Sequence, residues 1–141
     1  MKIKNEISAG LEDYIESIYI SQINDEVVKA INLAKKLNIT RASVSEALSK
    51  LLSRNLIEYQ NKKNIRLTTK GMDIASNVYN KHLILKNFFH NVLNISEEIS
   101  EVNACQVEHI VSHEVIENIC NFTSYCDKNK EFIEGFHELN K

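Results

Sequence analysis

Glu101, Cys105, Glu108 and His109 follow one another at the three- and four-residue spacings that bring side chains to one face of a helix. Carboxylate, thiol and imidazole converging on one face can make a transition-metal site, since thiolate and imidazole suit the softer divalent ions and carboxylates the harder ones. Upstream stand Asp13-x-x-Glu16 and His82, further donors of the same types. Taken singly, each has an ordinary reading. Asp13 and Glu16 read as solvated helix charges, His82 as a helix-surface histidine and Glu108-His109 as an exposed pair. Cys105, Cys120 and Cys126 match neither a CxxC nor a zinc-finger spacing, and Cys120 and Cys126 read as buried or incidental thiols.

The elements that must position these residues are mostly helices. With no Pro and only three Gly in 141 residues, few breakers are present. The apolar spacing predicts a first helix over Ala9–Ser21, with Asp13 and Glu16 on one flank, and a second over Ala30–Leu37 with Ile31, Ala34 and Leu37 inward. Asn38 suits the left-handed backbone of a tight turn, and Thr40 is a good N-cap for a third helix over Arg41–Arg54. Short helix, tight turn and second helix form a helix-turn-helix pattern, for which an ordinary helical hairpin is the alternative. Leu56–Tyr59 and Ile65–Thr68 alternate like strands around the polar turn Gln60–Asn64, which makes the segment a winged helix with a basic tip.

A recognition helix of this kind places Thr40, Arg41, Ala42, Ser43, Ser45 and Glu46 near a major groove. Arg41 is the candidate for a guanine edge, with a phosphate contact as its alternative. Lys50, Lys62 and Lys63 read as phosphate contacts or solvated charges. A long helix is predicted from Thr69 to about Asn91, carrying His82. Others are expected over Glu97–Ser112, from Glu114 to Cys120 or beyond, and in the amphipathic tail Asp127–Lys141. The expected division is 1–71 for DNA binding and 72–141 for a helical half with more apolar surface than a DNA reader needs, which suggests dimerisation.

Composition sets the limits. The hydrophobic fraction of 43% is that of a folded protein, and the net charge of −2 confines any phosphate-facing patch to a local stripe. No apolar run reaches membrane-spanning length, and Met1-Lys2-Ile3-Lys4-Asn5-Glu6 lacks an apolar signal core. The expectation is a cytoplasmic protein with reduced thiols and no membrane contact.

Leu11-Glu-Asp-Tyr-Ile-Glu-Ser-Ile-Tyr19, Ala42-Ser-Val-Ser45, Leu67-Thr-Thr-Lys-Gly71, Lys81-His82 and Ala104-Cys-Gln-Val-Glu-His109, in this order and spacing, resemble the diphtheria-toxin-repressor family of metal-dependent transcriptional regulators. The length resembles the family's short manganese-regulator branch, which lacks a C-terminal SH3-like domain. The resemblance implies a mainly α fold with a small β-hairpin wing, a winged helix-turn-helix followed by a helical metal-binding and dimerisation domain. It implies metal ligands at Asp13, Glu16, His82, Cys105, Glu108 and His109, and leaves His90, His113 and His137 as surface residues. Asp13 follows the manganese branch and Cys105 the iron branch. Where the iron branch builds an ancillary site with His and Glu, this chain has Glu101 and Lys86; Glu101 can partly replace the missing His.

The function implied is a DNA-binding regulator activated by Mn(II) or Fe(II), one or two ions per subunit, repressing metal-uptake genes. A homodimer would read a roughly palindromic operator in double-stranded DNA. The competing expectation is a winged-helix regulator of the MarR type, gated by a small molecule or by thiol oxidation at Cys120 and Cys126. A metalloenzyme is disfavoured, because no separate general base or substrate pocket is legible.

Overall fold

The computed structural model describes residues 7–139; residues 1–6, on which the reading of the N-terminus rests, and residues 140–141 of the tail lie outside them. The chain divides into two units, Met1–Asn77 and Val78–Lys141.

In the first unit, α1 (Ala9–Ile23) starts at Ser8, whose hydroxyl accepts from Leu11 N at 3.3 Å. α2 (Ala30–Leu37) ends at Asn38, which takes the left-handed conformation at φ 54°, and Thr40 caps α3 (Arg41–Ser53) by accepting from Ser43 N at 3.1 Å. These caps end one helix and start the next within three residues, which fixes the helix-turn-helix. The wing is the antiparallel pair β1 (Ile57–Gln60) and β2 (Asn64–Leu67), with Ile57 opposite Leu67 and Tyr59 opposite Ile65. Its turn carries Asn61 and Lys62 at positive φ. Asn64 Oδ1 accepts from Val28 N at 3.0 Å and Ile65 N donates to Val28 O at 2.8 Å, tying β2 to the segment before α2.

Ile15, Ile18, Leu33, Val44, Leu51, Leu56, Ile57 and Ile65 form the buried centre of this unit. Each is worth about 1.5–3 kcal/mol by burial. Ala34 is buried as expected, but Leu33 and not Ile31 is the large inward residue of α2: Ile31 is 37% exposed and Leu33 2%. The apolar face of so short a helix is set by what it packs against, and its residues alone leave the phase open. Gly71 touches the wing's base. A Cβ there would run into the Leu56 carbonyl oxygen, which is why this position needs glycine.

α4 (Thr69–Asn87) continues into a π-helical turn, Phe88–Val92, where the long helix expected to Asn91 changes pitch. In this turn Leu93 N donates to Phe88 O at 3.0 Å. His90 and His137, read as surface residues, both bond to backbone: His90 Nδ1 donates to Ile95 O at 2.8 Å, and His137 Nε2 to Val92 O at 3.0 Å. α5 (Glu97–Val107), α6 (His113–Lys128) and α7 (Lys130–Leu139) complete the second unit. α5 stops five residues before the expected Ser112. α7 buries none of its residues fully. Leu85, Ala104 and Ile116 are the buried core here, with Ile84, Phe89, Val107, Val111 and Ile119 packed against them.

Candidate metal centre and nucleic-acid face

His82 sits on α4 and is 5% exposed. Its two ring nitrogens face two carboxylates: Nδ1 lies 2.8 Å from Glu108 Oε2 and Nε2 lies 3.0 Å from Glu101 Oε1. A carboxylate oxygen accepts, so both nitrogens donate only if the ring is the imidazolium. The hydrogen bond that His82 donates to Glu108 is the main cause holding the His82 pKa above its ordinary 6.5, and the charges of Glu108 and Glu101 add to it against the cost of burial. Cys105 Sγ lies 3.7 Å from the same Nδ1. His82, Glu101 and Cys105 each offer a ligand atom within 4.8 Å of the others.

Glu101 and Cys105 lie one turn apart on α5, as their spacing predicts. Glu108 does not complete that face from within the helix: it is the C-cap residue of α5, still bonded to Ala104 O through its N–H at 3.0 Å. It is 1% exposed. Its Oε1 and the Ser17 hydroxyl of the first unit are buried side-chain atoms with no hydrogen bond among the described residues. His109 Nε2 stands 3.5 Å from Oε1, too far for a strong hydrogen bond. An unsatisfied hydroxyl costs about 1–3 kcal/mol, and a carboxylate oxygen more. A buried acceptor with a free lone pair, next to imidazole, thiol and a second carboxylate, fits a divalent transition metal.

Asp13 and Glu16 belong to α1 of the first unit, one turn apart, Asp13 exposed and Glu16 8% exposed. The residue missed in the sequence is Glu12, only 3% exposed on the same helix. Its place three residues before Ile15 and seven before Tyr19, both in the apolar stripe, is the available signal.

Lys86 was legible only as a non-ligand. It pairs with Glu101 Oε2 at 3.0 Å and Glu97 Oε1 at 3.4 Å. Burial raises the Glu101 pKa, but the bonds and charges of Lys86 and His82 outweigh it, and the net shift is downward.

On the first unit, Thr40, Arg41, Ala42, Ser43, Ser45, Glu46, Lys50, Lys62 and Lys63 are all exposed, while Val44, Ala47, Leu48 and Leu51 face inward. Thr40 Oγ1 donates to Ser43 Oγ at 2.9 Å, and Lys50 pairs with Glu46 at 3.2 Å one turn back. α3 thus presents a polar, unburied N-terminal end, and the wing tip carries two cations.

Two family models match in tandem: the N-terminal DNA-binding domain of the iron-dependent repressors over residues 6–65, and their metal-binding and dimerisation domain over residues 68–131. An HTH-type transcriptional regulator of Methanocaldococcus jannaschii is 33% identical over 114 residues, 80% of this chain and 91% of that one. The chain belongs to the iron-dependent repressor family. The MntR transcriptional regulator of Geobacillus kaustophilus is 26% identical, over 94% of this chain and 93% of its own. Among solved structures, the manganese regulator SloR matches with a TM-score of 0.74 and 32% identity, over 82% of this chain and 54% of that chain, so this chain spans about half of SloR.

As an iron-dependent repressor homologue the protein is a metal-dependent, DNA-binding transcriptional regulator that dimerises, and not an enzyme. The MarR-type alternative is overturned by these matches. Cys126, one of the two thiols that alternative invoked, is 3% exposed, and burial, helped by the Asp127 charge, pushes its pKa up, away from the reactive thiolate. No helix among the described residues is long and apolar enough to cross a membrane.

Proposed function

We propose that the protein is a cytoplasmic repressor of metal-uptake genes, activated by Mn(II) or Fe(II), in which metal binding favours the operator-binding dimer. The observation that carries this reading is His82 held between Glu101 and Glu108, with the Cys105 thiol beside it and Glu108 Oε1 buried without a hydrogen bond. Family membership and the manganese regulators among the relatives support it.

The ligand set we propose is His82, Cys105, Glu108 and His109, with Glu101 as an auxiliary donor, together with Asp13 and Glu16 on α1. The resemblance to metal-dependent repressors supports these positions, and the donor chemistry suits them. A bound divalent cation supplies positive charge that lets carboxylates gather and draws Cys105 toward its thiolate. His82 must give up the proton at whichever ring nitrogen becomes a ligand, and the carboxylate it leaves keeps its charge for coordination. Metal binding at these donors is proposed to be coupled to operator binding. The coupling expected is about 1–3 kcal/mol, the usual range for allostery.

Thr40, Arg41, Ala42, Ser43, Ser45 and Glu46 are proposed to read base edges and nearby phosphates, with Lys50, Lys62 and Lys63 on the backbone. A two-fold dimer would then select a roughly palindromic operator in double-stranded DNA. Val115, Phe122 and Tyr125 on α6 are 47%, 41% and 53% exposed, an apolar surface that supports dimerisation through the second unit. The test is an operator-binding titration at buffered free metal. Tighter binding with Mn(II) or Fe(II) than with chelator is expected; equal affinities would end the reading.

A further inference from the structure

Glu101 is engaged on both oxygens. Oε1 accepts from His82 Nε2 at 3.0 Å and Oε2 from Lys86 Nζ at 3.0 Å. His82 and Lys86 are one turn apart on α4, so two cationic side chains from adjacent turns hold the same carboxylate. Lys86 Nζ also reaches Glu97 Oε1 at 3.4 Å, and Glu97 lies one turn before Glu101 on α5. The ammonium therefore occupies the space between two carboxylates of one helix face, where a small cation would otherwise be held.

We propose that Lys86 is a resident cation at the Glu97–Glu101 end of the metal centre, taking the place of a second divalent ion, so that each subunit responds to one metal ion held at Glu108. The proposal rests on the metal-dependent reading given above. A lysine ammonium has three donors and no lone pair, so it can neutralise carboxylates but cannot be a ligand. Its ordinary pKa of about 10.4 keeps it charged at neutral pH.

The asymmetry between the two ends decides which one takes the metal. A divalent ion approaching Glu101 competes with Lys86 at Oε2 and with His82 at Oε1, and it meets the repulsion of an ammonium about one ligand length away. An ion approaching Glu108 finds Oε1 buried with no hydrogen bond to break among the described residues. The first ion goes to Glu108, and Lys86 leaves the second position closed. Lys86 also offsets the repulsion between Glu97 and Glu101, since like charges one turn apart are otherwise unfavourable.

The test is metal stoichiometry on the full chain, by equilibrium dialysis against Mn(II) and, without oxygen, Fe(II), followed by elemental analysis. Spin coupling between adjacent Mn(II) ions in electron paramagnetic resonance gives an independent count. One ion per subunit and no spin coupling are expected for the unaltered protein. Lys86→Glu, which replaces the ammonium by a ligand, is expected to bind two and to show the coupled signal. Lys86→Gln, which removes only the charge, is expected to admit the second ion at least about tenfold more weakly than Lys86→Glu, because it adds no carboxylate. Two ions on the unaltered protein, or one ion on both variants with folding intact by circular dichroism, would overturn the proposal and leave the metal-dependent reading standing. No ion on the unaltered protein would overturn both.

Discussion

In the first unit, polar side chains close on the backbone. Thr40 caps α3, Gln22 Oε1 accepts from Leu67 N at 2.9 Å, and Thr68 both donates to Asn55 O at 2.7 Å and accepts from Gly71 N at 3.1 Å. In the second unit, His82, Glu101, Cys105 and Glu108 are aimed at one another, and Glu108 Oε1 is left over. Polar groups that bond their own main chain fix local shape and let exposed residues such as Arg41 face a ligand, although Ser17 of the same unit keeps a buried hydroxyl without a hydrogen bond among the described residues. A unit whose buried polar groups face each other depends on what titrates or binds there.

The largest expected effect tests the self-sufficient side. Gly71→Ala forces a methyl into the Leu56 carbonyl and should cost the folded protein about 3 kcal/mol, read from its denaturation midpoint. A midpoint equal to that of the unaltered chain would mean the wing's base is looser than described. Next, on the dependent side, Glu108→Ala should weaken Mn(II) binding on the order of 100-fold while leaving metal-independent DNA affinity almost intact. If calorimetry finds the metal affinity preserved, Glu108 is not a ligand.

Arg41→Ala crosses the comparison. It should lower operator affinity by about 1–3 kcal/mol with no change in metal affinity, and a fall in both would break the separation of roles. The pH dependence sharpens it. Because the His82 pKa is raised, chiefly by its hydrogen bond to Glu108, a proton must leave when metal binds. Mn(II) affinity should therefore drop about tenfold per pH unit below that raised pKa and level off above it. Stability of the metal-free protein runs the other way. The His82 contribution is complete below the unfolded value of about 6.5 and is lost as pH rises through the raised one. A flat metal affinity across this window would remove His82 from the centre. Smallest of all, Glu46→Ala breaks only an exposed pair with Lys50 and should change stability by less than about 0.5 kcal/mol.

The local devices were legible because they depend on near neighbours. Asn38 adopts the left-handed turn its side chain favours, Thr40 caps the helix it precedes, and the alternating residues around Gln60–Asn64 form the wing. Cys105 and Glu101 share a face because i and i+4 must. What stayed hidden depends on partners far along the chain. The inward turn of Leu33 in place of Ile31, the burial of Glu12 and the hold of Lys86 on Glu97 and Glu101 are set by packing between elements. The placement of Glu108 past the end of α5 and the pitch change at Phe88 are similarly invisible to a 3.6-residue period. The chemistry of the donors was readable from their types, and their bonding was not.

The π-helical turn at Phe88–Val92 has a consequence for how such chains can vary in length. It accommodates one residue more than an α-turn, just ahead of the segment that delivers Glu97, Glu101, Cys105 and Glu108 toward His82. Losing a single residue there would rewind it to an ordinary α-turn, with the phase of the preceding helix kept. The turn is thus a place where one residue can be gained or lost inside a helix, a change that a regular α-helix would pass on to everything beyond it.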